Sequence, residues 1–175
     1  NYLYFVKQIL FWSFFYNDWN IAILNDNFFE NNNSINITIN NTKKIERDKK
    51  YLFYSDPFFL NYNNILFEAY DISKSYGVIN KYNIKKKSYC NILTLKDHTS
   101  FPNILIDNDS KFILPEIASW SPPKLFQLNK NDEKIILEKK LKGFEDKKII
   151  DSTIFLHNDI HYIFFGHKKN NLDVC

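Results

Sequence analysis

The sequence predicts an all-β protein, chiefly because one hairpin pattern recurs three times along the chain. The copies begin at Asp56, Phe101 and Asp151, which are 45 and 50 residues apart. Each consists of an apolar strand, a turn containing Asn or Asp, and a second apolar strand, which is the pattern of a hairpin. A hairpin that recurs at about this interval is typical of a β-propeller, in which successive four-stranded sheets stack on one another.

Composition agrees with sheets packed on sheets. Aromatic residues make up 18% of the 175 residues, with 17 Phe and 11 Tyr, and such side chains favour strands and large buried contacts. Lys and Arg number 23 against 20 Asp and Glu, a net charge of +3. This charge is too small to indicate nucleic-acid binding, and the lysine runs at 85–87 and 139–140 are interpreted as solvated turn or edge residues.

The remaining elements follow from local pattern. Residues 1–18 are predicted to form a helical leader, because their apolar run is too short to span a membrane and has no signal-peptide features. Residues 19–24 alternate as a strand does, and Ile35, Ile37 and Ile39 fit one exposed edge strand in a long polar loop. Further strands are predicted at 51–54, 76–79, 89–93, 124–128 and 135–137. Each full repeat then holds four short strands, as a propeller blade requires.

The repeat also predicts the domain organisation. A leader at 1–18 precedes a partial propeller at 19–175, with blade repeats starting near residues 56, 101 and 151. These residues supply about three blades and an N-terminal strand, whereas a closed ring has four blades or more. We therefore expect the chain to be a fragment of a longer propeller protein.

No metal site or cofactor is predicted. Cys90 and Cys175 are the two cysteines, and they form neither a disulfide framework nor a metal-ligand spacing. His157 and His161 flank a predicted turn and are interpreted as exposed turn residues, since no third ligand lies nearby in sequence. A cytoplasmic location is the default, and two unpaired cysteines agree with it.

Seven motifs occur in an order that resembles one known family. They are Trp19-Asn-Ile-Ala, Ser55-Asp-Pro-Phe-Phe, Leu66-Phe-Glu-Ala-Tyr70, Gly77-Val-Ile, His98-Thr-Ser-Phe-Pro102, Ile113-Leu-Pro-Glu116 and Asp151-Ser-Thr-Ile-Phe155. From about residue 19 to the C-terminus, the chain is similar to the N-terminal propeller domain of glucosamine inositolphosphorylceramide transferases. That domain is in turn similar to the five-bladed propeller of glycoside hydrolase family 43. The resemblance implies a five-bladed ring, incomplete here, that recognises sugar beside a separate transferase domain.

The resemblance also implies which residues carry chemistry. In family-43-like propellers the first strand of each blade lines the central axis and points acidic residues into a sugar pocket. An inverting glycosidase needs one carboxylate as general base and one carboxylic acid as proton donor. Asp56 matches the general-base position, and Asp151 occupies the equivalent point of the third repeat. Phe101 stands where family 43 has an Asp, and Glu116 or Asp151 is the candidate partner of Asp56.

Three further residues are candidates for binding the sugar. A neutral His98 could hydrogen-bond sugar hydroxyls, and Glu68, at the end of a return strand, could reach inward. Trp120 could stack on a sugar ring, although a wedge between blades is an alternative role for it. Asp56 itself has an alternative structural reading, because Asp-Pro at a strand start is common turn chemistry.

Three functional hypotheses stay open on the sequence. The first is a carbohydrate-recognising module associated with glycan or glycolipid glycosyl transfer. The second is an inverting glycoside hydrolase with Asp56 as general base, which would place two axial carboxyl groups about 6.5–9.5 Å apart. The third is a structural propeller without a ligand, whose axis would be filled by Phe and Tyr.

Overall fold

The computed structural model describes residues 19–24, 42–118, 122–145 and 149–167. This part of the chain forms twelve strands and no helix, arranged in four antiparallel sheets. The all-β prediction is therefore confirmed for these residues. The predicted leader helix at 1–18 and the predicted edge strand at 35–39 lie outside the described residues. None of the described segments forms a helix that could cross a membrane.

The chain divides into two compact units, one ending at Glu46 and the other beginning at Arg47. In the first, β1 (Ala22–Leu24) pairs antiparallel with β2 (Thr42–Lys44). The N–H of Ile45 extends this ladder by donating to the carbonyl oxygen of Ile21 at 2.8 Å, and both side chains are buried. The strand predicted at 19–24 is thus confirmed over its last three residues.

The second unit consists of two four-stranded meanders and a hairpin. The first meander contains β3 (Tyr51–Asn61), β4 (Asn64–Asp71), β5 (Tyr76–Asn83) and β6 (Ser88–Leu93); the second contains β7 (Thr99–Asp107), β8 (Ser110–Ile117), β9 (Lys124–Leu128) and β10 (Ile135–Lys140); the hairpin is β11 (Ile149–His157) and β12 (Ile160–His167). In each sheet, strands that are consecutive in the chain are neighbours. All three predicted hairpins and the strands predicted between them are present.

The first strand of each later sheet packs against the sheet before it. β7 contacts β3, β4 and β5, and β11 contacts β7 and β8. One apolar core joins the two meanders, with Leu60, Leu66, Ile79, Ile92 and Leu93 from the first and Ile113, Ile117, Phe126 and Leu128 from the second. Each fully buried side chain of this kind stabilises the fold by about 1.5–3 kcal/mol. Because both meanders contribute to this one core, it holds in place the two sheets on which the candidate site lies.

The repeated motif lies inside a strand, which corrects the prediction that it opens one. Asp56, Phe101 and Asp151 each follow the first residue of their strand by two or five positions, and all three have a φ of 49°. The pairing register shifts at the same places, between residues 55 and 58, 100 and 103, and 150 and 153. Each first strand therefore contains a β-bulge at the repeat position, and a bulge redirects the side chains around it.

The turn of the third hairpin offers a clean test of backbone conformation. Asn158 and Asp159 have φ values of 48° and 59° and join the paired residues His157 and Ile160, which is the geometry of a two-residue type I′ turn. Asn158 is exposed, so its substitution changes little packing. We expect Asn158→Ala to destabilise the protein by about 1 kcal/mol, because Ala disfavours positive φ. Asn158→Gly should be near neutral in the same urea unfolding assay, and equal losses in the two variants would contradict this reading.

A polar cluster that the sequence did not predict ties the two meanders together. Asp132, in the loop between β9 and β10, is only 5% exposed. Its Oδ2 accepts hydrogen bonds from Nδ2 of Asn61 at 3.0 Å and from Nζ of Lys111 at 2.6 Å. Its backbone oxygen accepts one from Nζ of Lys81. Since Asn61 and Lys81 belong to the first meander, Asp132 fastens it to the second.

Candidate functional site

The bulges in the first strands of the two meanders, β3 and β7, each lie beside a glutamate on the next strand, β4 or β8. Ser55 pairs with Glu68, and Ser100 pairs with Glu116. Glu68 lies within β4 rather than at its end, which corrects the predicted placement. In the β11–β12 hairpin the equivalent partner of Ile150 is a glycine, Gly166. A Cβ there would lie 2.8 Å from Cγ1 of Ile150, so any larger residue opposite the third bulge would have to displace the Ile150 side chain.

Glu68 is the most perturbed group of the site. Its side chain is 6% exposed, and its Oε2 accepts a hydrogen bond from the Ser55 hydroxyl at 2.9 Å. The pKa of Glu68 is raised to about 7, chiefly by burial and also by the nearby carboxyl groups of Asp56 and Glu116, against the opposing effect of the Ser55 hydrogen bond. A carboxyl group in these surroundings keeps a large protonated fraction at neutral pH.

His98 faces the other oxygen of Glu68. Nε2 of His98 lies 3.3 Å from Oε1 of Glu68, although that buried oxygen has no partner of good hydrogen-bond geometry. Nδ1 of His98 accepts a hydrogen bond from the N–H of Gly77 at 2.9 Å, so a neutral ring carries its proton on Nε2. Burial lowers the pKa of His98, partly offset by Glu116 and Asp56. The imidazole is therefore neutral at pH 7, and its contact with Glu68 is not an ion pair.

Gly77 makes room for this contact. A Cβ at residue 77 would lie 2.5 Å from Oε1 of Glu68, 2.9 Å from the carbonyl oxygen of Thr99 and 3.0 Å from Cε1 of His98. A glycine inside a strand often marks such a close approach. Gly77 was part of a recognised sequence motif, but this supporting role follows only from the packing of β5 against the segment before β7.

Glu116 links β8 of the second meander to the bulge of β11. Its Oε2 accepts a hydrogen bond from the backbone N–H of Asp151 at 3.0 Å. Asp151 thus reaches the cluster through its main chain, whereas its side chain is exposed. At the second bulge the ring of Phe101 packs edge-on against Phe58, with centroids 5.1 Å apart.

The structure brings four of the six predicted site residues into one cluster. Asp56 and Glu116 are close enough to act electrostatically on both Glu68 and His98, and the four residues come from β3, β4, β8 and the segment before β7. Asp151 borders them, and Trp120 lies outside the described residues. Within the described ranges no group of three or more His, Cys, Asp and Glu residues is arranged to hold a metal ion.

The two histidines of the third hairpin stand apart from this cluster. His157 is exposed, as expected for a turn residue. His161 is partly buried, and its Nε2 lies 3.1 Å from the backbone oxygen of Ile106 in β7. This contact corrects its reading as a simple exposed residue and gives His161 a part in holding the hairpin against the second meander.

Comparison with known proteins gives no match to a family model, to a curated protein or to a solved structure.

Proposed function

We propose that this chain is part of a β-propeller that recognises carbohydrate at the cluster of Asp56, Glu68, His98 and Glu116. The observation that carries the proposal is the convergence of these four side chains from the two meanders and the segment that joins them. Sugar hydroxyls both donate and accept hydrogen bonds, so they suit a site that offers carboxylate acceptors beside a carboxylic acid and an imidazole N–H.

The order of the sheets supports the propeller part of the proposal. Two four-stranded meanders follow one another in the chain, and the first strand of each later sheet packs on the sheet before it. Adjacent propeller blades have this arrangement, and the β11–β12 hairpin would be the first half of a third blade. The three first strands each contain a bulge at the repeated motif, which supports a common repeat.

The resemblance in motif order supports a sugar on a glycan or glycolipid as the ligand. Asp56, Glu68, His98 and Glu116 all belong to the motifs that carry this resemblance. By the same reasoning the partner is a fused or associated transferase domain, and sugar transfer takes place there rather than at this cluster.

Substitution of Asp56 tests the binding proposal. We expect Asp56→Asn to weaken glycan binding by about tenfold or more, because a hydrogen bond to a charged acceptor contributes about 1.5–3 kcal/mol. A glycan array identifies the ligand, and calorimetry then compares the variant with the wild type. Asp109→Asn is the matched control, since this exposed residue lies in the turn beyond the far end of β7. Wild-type affinity in Asp56→Asn, or an array without any bound glycan, would contradict the proposal.

Inverting glycoside hydrolysis is the second candidate, and the presence of several carboxyl groups in one cluster favours it. An inverting glycosidase needs a carboxylate and a carboxylic acid about 6.5–9.5 Å apart. Asp56 would activate water, and Glu116 would supply the leaving-group proton, since Glu68 lies too close to Asp56 for that separation. Turnover of aryl-glycosides tests this reaction, and activity that survives Asp56→Asn unchanged would remove Asp56 from the mechanism.

A further inference from the structure

Glu68 is too enclosed to be a simple ligand contact, and its position indicates a different role. The side chain is 6% exposed, whereas Asp56, on the neighbouring strand, is partly exposed. The two carboxyl groups are close enough to interact, and Asp56 raises the pKa of Glu68. A buried acid behind a more accessible one can act on a ligand only through that neighbour.

We propose that Glu68 is a positioning residue, which in its protonated form donates a hydrogen bond to Asp56 and holds that carboxylate in place for the ligand. This inference rests on the proposed function, since it assigns Asp56 to ligand binding. It assigns two protons to the site: one is shared by the Asp56–Glu68 pair, and the other is on Nε2 of His98.

The groups around Glu68 agree with this arrangement. Those that face it are Asp56 on β3, His98 before β7 and Glu116 on β8, together with the Ser55 hydroxyl. Three converging carboxyl groups repel one another when all are ionised, so the most buried of them retains its proton. Burial and the two acidic neighbours raise the pKa of Glu68 to about 7, in agreement with the geometry.

His98 and Gly77 complete the arrangement from the other side. The N–H of Gly77 occupies Nδ1 of His98, so a neutral ring carries its proton on Nε2, which lies 3.3 Å from Oε1 of Glu68. Oε1 makes no hydrogen bond of good geometry, and a ring with a proton on Nε2 cannot accept one there, so the carboxylic proton of Glu68 is left for Asp56. Without Gly77 the ring could adopt the other tautomer and present a lone pair to Glu68 instead.

The first test reads the protons without any ligand. Carbon-13 NMR of the side-chain carboxyl groups follows Glu68 and Asp56 from pH 5 to pH 9 in the wild-type chain. We expect the Glu68 carboxyl carbon to titrate near pH 7 and the Asp56 signal to shift in the same step. In Glu68→Gln, which stays neutral and can still donate to Asp56, the step in the Asp56 signal should vanish. A Glu68 carbon that titrates near its ordinary value, or an Asp56 signal that ignores the step, would overturn the proposal.

The tautomer of His98 is a second ligand-free measurement. Nitrogen-15 NMR should show His98 neutral and protonated on Nε2 at pH 7. A proton on Nδ1 would contradict the contact with Gly77 and with it the orientation of Glu68. Both NMR readouts use the wild-type chain, so they decide the question even where a substitution prevents folding.

The third test connects the proton to binding. Glycan affinity of the wild type should fall by about tenfold between pH 6 and pH 8, as Glu68 ionises and Asp56 loses its donor. Glu68→Gln should bind equally at both pH values, whereas Glu116→Gln should keep a pH dependence. An affinity that does not change with pH in the wild type would overturn the positioning role. If no glycan binds at either pH while the NMR step at pH 7 is present, the proposed function fails and the proton-sharing pair stands.

Discussion

Asp132→Asn is expected to destabilise the protein by about 3 kcal/mol, because it removes the charge of a buried ion-pair partner. Asp132 is 5% exposed and pairs with Lys111 at 2.6 Å. Removing one partner of a buried pair leaves the other charge uncompensated, which costs about 3–5 kcal/mol, and partial exposure of Lys111 favours the lower end. Asparagine tolerates the positive φ of 58° at this position, so the loss reports the charge rather than the backbone.

Urea unfolding measures this loss, with Asp109→Asn as the control. Asp109 is an exposed aspartate in the turn between β7 and β8, and its substitution should change the free energy of unfolding by less than about 0.5 kcal/mol. The double variant Asp132→Asn with Lys111→Gln should lose less free energy of unfolding than the two single variants lose together, because no unpaired charge remains. Equal stability of Asp132→Asn and the wild type would show that the Asp132–Lys111 pair contributes nothing measurable to the free energy of unfolding.

The second large effect is a decrease of stability with rising pH that depends on Glu68. The folded protein keeps the Glu68 proton up to about pH 7, whereas the unfolded chain loses it near the ordinary value of 4.5. The associated stabilisation is complete below about pH 4.5, is lost as the pH rises to about 7 and stays absent above it. A shift of this size corresponds to at most about 3 kcal/mol.

Urea unfolding between pH 4.5 and pH 8 at constant ionic strength measures this dependence. His98 has the opposite slope, because its lowered pKa makes its contribution increase as the pH rises toward 6.5. The comparison with Glu68→Gln isolates Glu68, since His98 is present in both proteins. Asp71 does not affect this comparison. Lys74 and Ser73 lower its pKa to about 2, so the stabilisation that its carboxylate contributes is lost only below the pH range of the measurement. A wild-type profile parallel to that of Glu68→Gln would contradict the assigned ionisation.

Most of the strand order could be predicted because strand signals are local. The hairpin turns contain Asn and Asp, and the apolar runs on either side have strand length, so neighbouring residues alone indicate the meanders. The bulges were missed for the same reason. Asp56-Pro57 reads as a strand start in isolation, and only the pairing with β4 shows that β3 continues through it from Tyr51.

The members of the candidate site were easier to predict than their chemistry. Asp56, Glu68, His98 and Glu116 were singled out by sequence motif, and the structure gathers them. The protonation of Glu68 could not be predicted, because it depends on burial and on the approach of carboxyl groups from β3 and β8. Asp132, in contrast, could not be predicted as a buried residue. In the polar stretch 129–134 it resembles an exposed turn residue, and it is contacts from the first meander that bury it.

The all-β class, the hairpins and their order follow from local sequence, since a strand of alternating or apolar pattern and a turn of Asn or Asp depend on residues adjacent in the chain. The shared surroundings of Glu68, Asp56 and Glu116, and the orientation of His98 by Gly77, arise when the strands pack together. They are absent from local patterns because pKa values and the burial of charge depend on distances in space between strands.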